Sequence, residues 1–473
     1  MSCLLQAREV SFTYPQNGHG LASVSLEIEA GGALLIAGPS GCGKSTLARC
    51  LAGLIPHLYH GRFAGEVLLN GESTLNLPLW RLAELAGMVF QNPAAQMLAS
   101  TVEDEILFGL ENAGLPRDEM ARRLEAALER FNLTEMRQRS PHTLSGGEQQ
   151  KLALAAITAR RPAALVLDEP LSMLDTTAAL EFVAHTRELQ GEGTAVVYCE
   201  HRQEYLDDLP GLQRLSLGEK PPGPASDATA PPWPLPGEAP LSLHVRGLNV
   251  ARGGRAVLHD LDLSLPGGKV TAVVGRNGVG KTTLFRALAG LQPFTGNIEV
   301  HTGAAIARPE LGIVFQNPDL QLFNPTVREE ILYRLPNPDL NLYAWLAAVL
   351  ELERYANTPP LLLSEGEKRR VALATMLMRL PRHGLLLDEP ALGQDEAHKA
   401  ILLRLLRLYA CAGHIVAYST HDLELAAQSD ELVLLGPQGI AAHGPAGEVM
   451  RMTSAWHSLG LVIPEWVRAR CCA

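Results

Sequence analysis

The stretch ALLIAGPSGCGKSTLARCLAGL, residues 33–54, decides the fold. Its apolar start, ALLIAG, reads as a buried strand, GPSGCGKS (38–45) as a loop, and STLARCLAGL as the helix that follows. Strand, glycine loop and helix in that order make a phosphate-binding loop. Successive backbone N–H groups and the helix N-terminus surround phosphate oxygens. Gly38, Gly41 and Gly43 permit the close approach, Lys44 adds a positive charge, and the Ser45 hydroxyl suits Mg²⁺. The whole device recurs as GRNGVGKT at 275–282. The candidate nucleotide contacts are Gly38, Pro39, Ser40, Gly41, Cys42, Gly43, Lys44, Ser45 and Thr46 in the first loop. Those in the second are Gly275, Arg276, Asn277, Gly278, Val279, Gly280, Lys281, Thr282 and Thr283.

Working outward, three further blocks follow both loops in the same order. VFQNP stands at 89–93 and 314–318, LS-x-GE begins at Leu144 and at Leu363, and LDEP begins at Leu167 and at Leu387. The interval from Asp168 to His201 recurs unchanged from Asp388 to His421. The chain is a duplicated domain. Between the copies, EKPPGPASDATAPPWPLPGEAP (219–240) is too rich in Pro, Gly and Ala for a helix or strand and reads as an extended tether. The expected division is a first domain over 1–218, a linker over 219–241 and a second domain over 242–473. So short a tether predicts that the copies meet each other.

The size agrees: 473 residues suit two domains of roughly 200 residues each. With 47% hydrophobic and 19% charged residues, the composition is that of a globular α/β protein. A formal charge of −11 disfavours nucleic acid as the main partner, because phosphate backbones reward a basic surface. No apolar run is long enough to span a bilayer, and the start, MSCLLQAREV, does not read as a signal peptide, so a cytoplasmic location is expected. The seven cysteines are scattered without paired metal-ligand spacing and read as reduced thiols.

AALVLDEP and GLLLDEP are apolar runs whose carboxylates fall at a strand's carboxyl end, where open α/β sheets bind ligands. Asp168 and Asp388 are therefore candidates to hold Mg²⁺ together with Ser45 and Thr282. Glu169 and Glu389 remain to polarise an attacking water. His201 and His421, each closing an apolar strand, are candidates for γ-phosphate contact, although an isolated histidine at such a place is usually structural.

At this point the chain resembles the ATP-binding-cassette (ABC) family over nearly its whole length. LSGGEQQK (144–151) is similar to that family's signature, which in the family closes over ATP held by the P-loop of the other domain. The resemblance implies two P-loop NTPase domains of α/β class, each with a RecA-like core, an antiparallel β portion and a helical signature subdomain. It also implies ATP and Mg²⁺ as ligands, and intramolecular pairing of the two domains. By resemblance, Ser145, Gly146, Gly147, Ser364 and Gly366 reach nucleotide from the signatures. Gln91 and Gln316 are the Q-loop residues that sense Mg²⁺ and a membrane partner, SMLD (172–175) and LGQD (392–395) are D-loops, and Tyr14 takes the place of the adenine-stacking aromatic. The second copy departs from the pattern twice: Glu365 replaces a signature glycine, and Arg252 stands where the first copy has Tyr14. Crossing the motifs over predicts unequal ATP sites, with a Glu365 carboxylate facing γ-phosphate at one of them.

NPAAQMLASTVEDEI and its echo NPDLQLFNPTVREEI are similar to the ATPases of energy-coupling-factor and cobalt-type importers. That likeness implies a transmembrane coupling subunit and a substrate-binding membrane subunit as partners, docked near Met97, Leu98, Leu322 and Phe323. The chain would then lie on the cytoplasmic face of the membrane and power uptake of a vitamin, a vitamin precursor or a transition-metal ion. The alternatives are a tandem-cassette ATPase acting on ribosomes or DNA, and a sugar-type importer ATPase.

Overall fold

The computed structural model describes residues 3–15, 20–218, 241–303 and 305–471. The linker expected over 219–241 lies, except for Leu241, outside the described residues, as does Cys472. The chain divides into two compact units, Met1–Pro221 and Pro222–Ala473.

In the first unit the apolar runs form a five-stranded parallel sheet, in the order Ala86–Val89, Ala164–Asp168, Ala195–Cys199, Ala33–Ala37 and Leu212–Ser216. The first four strands are buried along their whole length, as expected of parallel strands covered on both faces. A second, antiparallel sheet orders Gly20–Glu29, Cys3–Thr13, Arg62–Leu69 and Glu72–Ser73. The two sheets share one core, in which Leu5, Phe12 and Ile28 join Leu34, Ile36 and Val197. Helices Val102–Asn112, Arg117–Arg130 and Gly146–Thr158 pack together as the helical subdomain.

The second unit repeats this plan. Its central sheet orders Leu311–Val314, Gly384–Asp388, Ile415–Ser419, Val270–Val274 and Glu431–Gly436, and adds Gly439–Pro445 as an antiparallel edge. Alternation decides which face each side chain covers. Val273, Leu386, Ala417 and Val433 meet the antiparallel sheet, whereas Ala272, Leu385, Leu387 and Tyr418 meet the helices. Helices Ala446–Arg451, Thr453–Ser458 and Glu465–Cys471 close the chain, and the buried Trp456 indole donates to the Val449 carbonyl at 2.9 Å. The observed α/β architecture with mixed sheets and a helical subdomain is the one the sequence implied. The thiols of Cys3, Cys42, Cys50, Cys199 and Cys411 are free.

Leu35 is fully buried in the strand that leads into the first phosphate loop. Leu35→Ala should cost about 2–5 kcal/mol through lost transfer energy and a residual cavity. Chemical denaturation followed by circular dichroism will show it as a lower midpoint at unchanged slope.

Candidate functional site

Each phosphate loop closes on a left-handed backbone that glycine readily supplies. Gly43 (φ 103°) and Gly280 (φ 112°) precede helices Lys44–Leu51 and Lys281–Leu288, which aim their first N–H groups back into the loop. Lys44 and Lys281 are buried at the first helical position. The Lys44 ammonium donates to the carbonyls of Gly38 (2.9 Å) and Pro39 (3.0 Å), and that of Lys281 to Gly275 (2.7 Å) and Arg276 (3.4 Å). Cys42 and Val279 turn their side chains onto the cores, so only their backbones face the loop. Thr46 and Thr283 are buried as well.

The carboxylates arrive where the strands end. Asp168 accepts from the Ser45 hydroxyl at 2.9 Å, and Asp388 from that of Thr282 at 2.6 Å. Burial, reinforced by the neighbouring Glu169, pushes the Asp168 carboxyl up to about 6, and burial raises Asp388 too. Among the described residues no cluster of three or more His, Cys, Asp or Glu could hold a metal. One hydroxyl and one carboxylate per site nevertheless suit Mg²⁺, which binds through few protein oxygens and completes its shell with phosphate and water.

Glu169 and Glu389 sit just past the strand ends with φ of 49° and 51°, a backbone that side chains other than glycine rarely adopt. Retained at both copies, this geometry holds each carboxylate over its loop. Glu169 accepts from Gln91 Nε2 at 2.7 Å and lies 3.4 Å from His201 Nε2, whereas Glu389 meets His421 Nδ1 at 2.9 Å and Lys281 Nζ at 4.0 Å. Burial alone would raise the Glu389 carboxyl, but His421 and Lys281 outweigh it and hold the group below its ordinary value. Gln316, the counterpart of Gln91, is exposed, and its carbonyl accepts from Arg369 at 3.3 Å.

Tyr14 packs edge-on against Phe12 with centroids 4.8 Å apart. Its hydroxyl accepts from Arg49 at 3.1 Å and lies 3.5 Å from Thr46 Oγ1. Arg252 ends the matching strand, exposed beside Gly253 and Gly254. Ser145 and Ser364 cap the signature helices, each in a reciprocal box with the glutamate three residues on, Glu148 or Glu367. A Cβ placed on Gly146 would meet Met173 Sδ at 3.5 Å, an ordinary contact, so a side chain fits at this position. The Glu365 side chain runs back along its own helix to Lys368 (3.2 Å), which Asp319 also holds (2.8 Å). Within its own unit, then, the Glu365 carboxylate is paired with a cation one turn along its helix.

The expected docking residues divide. Leu98 and Phe323 are 73% and 65% exposed, but Met97 and Leu322 are buried, which corrects their assignment as surface contacts. The cause is a pair of amides that the sequence reading left without a role. Gln96 accepts from Phe90 N (2.8 Å) and donates to Met88 O (3.0 Å); Gln321 repeats both bonds with Phe315 and Ile313 (2.8 and 2.9 Å). These bonds fold the loop back, and the next side chain goes inward. Buried Glu105 and Glu330 then each accept two backbone N–H groups, from Leu98 and Ala99 and from Phe323 and Asn324, and so fix the exposed tips. Their signal was the repeat itself: TVEDEI and TVREEI hold a glutamate in register.

Comparison with known proteins gives the family. The family model described as "ABC transporter" matches residues 21–172 and 258–392. The chain is 34% identical to the putative HMP/thiamine import ATP-binding protein YkoD of Bacillus subtilis strain 168, covering 98% of this chain and 96% of that protein. It is 31% identical to a putative ABC transporter ATP-binding protein of Methanosarcina mazei, over 98% and 92% of the two chains. Among solved structures, a model of ribosome-bound archaeal Pelota and ABCE1 aligns with a TM-score of 0.68 at 21% identity, covering 95% of this chain and 80% of that one. At that identity the likeness is one of fold.

The raised Asp168 carboxyl has a testable sign. Its pKa is higher in the folded state than the ordinary 3.8, so folding favours the protonated form. That contribution is complete below about pH 4 and is lost as pH rises through about 6. Without magnesium or nucleotide, Asp168→Asn should therefore stabilise the chain by about 1–3 kcal/mol at pH near 7.5, and the gain should vanish near pH 4. Thermal melts of both proteins across that range measure the difference.

Proposed function

We infer, for a chain that belongs to the ABC transporter family and is an ATPase, that it is the ATP-hydrolysing subunit of an importer of the energy-coupling-factor type. The observation that carries this reading is the collinear match, through both copies, to a protein named as an import ATP-binding protein. The cargo class is a vitamin, a vitamin precursor or a transition-metal ion, and the name of that relative favours a thiamine precursor. A role on ribosomes draws only on likeness of fold.

In this reading the loop N–H groups, with Lys44 and Lys281, bind the ATP phosphates. Ser45 with Asp168, and Thr282 with Asp388, would hold Mg²⁺, with Gln91 and Gln316 as further proposed ligands, and the ion would supply neutralisation of the phosphate charge. Glu169 and Glu389 take hydrogen bonds from the attacking water, and His201 and His421 hold the γ-phosphate. The two domains, joined by the linker, pair so that each signature, Ser145 to Gly147 or Ser364 to Gly366, closes on the other domain's nucleotide. Catalysis here is positioning and electrostatics, which is what phosphoryl transfer asks of a protein.

No helix among the described residues is long and apolar enough to cross a membrane. Transport therefore calls for membrane subunits, and the exposed Leu98 and Phe323, held out by Glu105 and Glu330, are the proposed contacts on the cytoplasmic face.

The purified chain should hydrolyse ATP with Mg²⁺, and Lys44→Ala combined with Lys281→Ala should lower turnover by at least about a hundredfold. Undiminished phosphate release from the double variant would refute the assignment. Leu98→Ser with Phe323→Ser should release the chain from membranes while basal turnover and melting temperature hold, as measured by flotation of membranes from cells that naturally express the chain.

A further inference from the structure

The two D-loops are tied to different neighbours. In the first unit Glu200, 1% exposed, lies directly before His201. One of its carboxylate oxygens accepts from the backbone N–H groups of His201 (2.8 Å) and Arg202 (3.0 Å), and the other accepts from Leu171 N (3.0 Å), at the entrance to the D-loop. Arg202 completes the tie, because its guanidinium donates to Leu171 O (2.8 Å) and Leu174 O (2.9 Å). The same side chain lies over the Tyr205 ring, 4.3 Å from the centroid. A buried carboxylate satisfied by three N–H groups and a guanidinium bridging two carbonyls form a rigid brace between the His201 turn and residues 171–175.

The second unit has Thr420 and Asp422 at these positions, and both are turned elsewhere. Thr420 Oγ1 accepts from Asp422 N at 2.9 Å, and Asp422 caps helix Leu423–Ala427 and pairs with Lys399 at 2.7 Å. The second D-loop is braced instead to its own signature helix. Arg369 donates to Leu392 O at 2.6 Å, and Gln394 Nε2 to Gly366 O at 2.8 Å. At the matching positions of the first unit, Gln150 stands in place of Arg369 with its buried side-chain amide unpartnered among the described residues, and Leu174, whose side chain carries no donor, stands in place of Gln394.

We propose that Glu200 and Arg202 are positioning residues that couple the first D-loop to the His201 turn, whereas the second D-loop follows its signature helix through Arg369 and Gln394. ATP at the first phosphate loop then orders residues 171–175 through His201. The two ATP sites differ in wiring even where their catalytic residues match. This rests on the reading of His201 as the γ-phosphate contact.

The test uses the full chain carrying Lys281→Ala, so that a non-hydrolysable ATP analogue with Mg²⁺ fills only the first loop. Amide hydrogen exchange across 171–175 should slow by about tenfold on binding, the effect of adding one hydrogen bond to a charged group. Glu200→Gln keeps the volume but leaves one acceptor oxygen for two sets of donors, so it must release either Leu171 or the His201 turn. That variant should lose the protection and leave exchange across 391–395 unchanged. In the chain with both loops intact, it should lower kcat about tenfold while KM for ATP stays within about twofold. Arg202→Lys, which keeps the charge but not the fork, should fall between. Protection of 171–175 that survives both substitutions overturns the proposal and leaves the site reading standing. An analogue that binds the chain carrying native Glu200 and Arg202 without protecting 171–175 overturns both.

Discussion

A lysine buried at the first turn of a helix is a cation placed at the positive end of a dipole, and the rest of each unit is arranged so that this can be tolerated. Lys44 and Lys281 hold that position at 5% and 7% exposure, with loop carbonyls as their partners. The same carbonyls are weak partners beside the anionic oxygens of a phosphate, so the site is prepared for an anion. The demand extends outward. The loop must be glycine-lined to reach the ligand, the strand before it must be buried to be rigid, and the acidic strand ends beside it supply the opposite charge.

That opposite charge is itself costly. Asp168 and Asp388 are buried with a hydroxyl as nearest donor, and burial raises both. Glu169 and Glu389 occupy a left-handed backbone that a glutamate adopts only when its surroundings hold it there. A site with buried carboxylates, a buried ammonium and strained backbone is poorly stabilised by itself and gains from a ligand that brings both phosphate and a divalent ion. Binding energy and conformational order are thereby linked in each unit.

Duplication makes the division between scaffold and regulation visible within one chain. The amides of Gln96 and Gln321, and the carboxylates of Glu105 and Glu330, make the same bonds in both units, and both hold an apolar tip outward. Around the D-loops the copies diverge, with Glu200 and Arg202 in one and Arg369 and Gln394 in the other. Divergence at the braces, with the phosphate loops kept alike, is what a chain would show if both copies bind ATP but answer it differently.

The sequence by itself determined the duplication, the α/β class, the phosphate loops and the acidic strand ends, because each is local. A glycine loop between an apolar strand and a helix has one structural meaning, and a repeat at matched intervals excludes coincidence. Tertiary structure alone decided where side chains pointed. Met97 and Leu98 are neighbours of similar hydropathy, and only the Gln96 bonds, made to residues several positions earlier, send one inward and leave the other exposed. Glu365 read as an unpaired charge, whereas Lys368, itself paired with Asp319, holds it. Glu200 carried no signal at all, since its value lies in a bond to Leu171, and a hydrogen bond between distant segments leaves no periodicity in the chain that makes it.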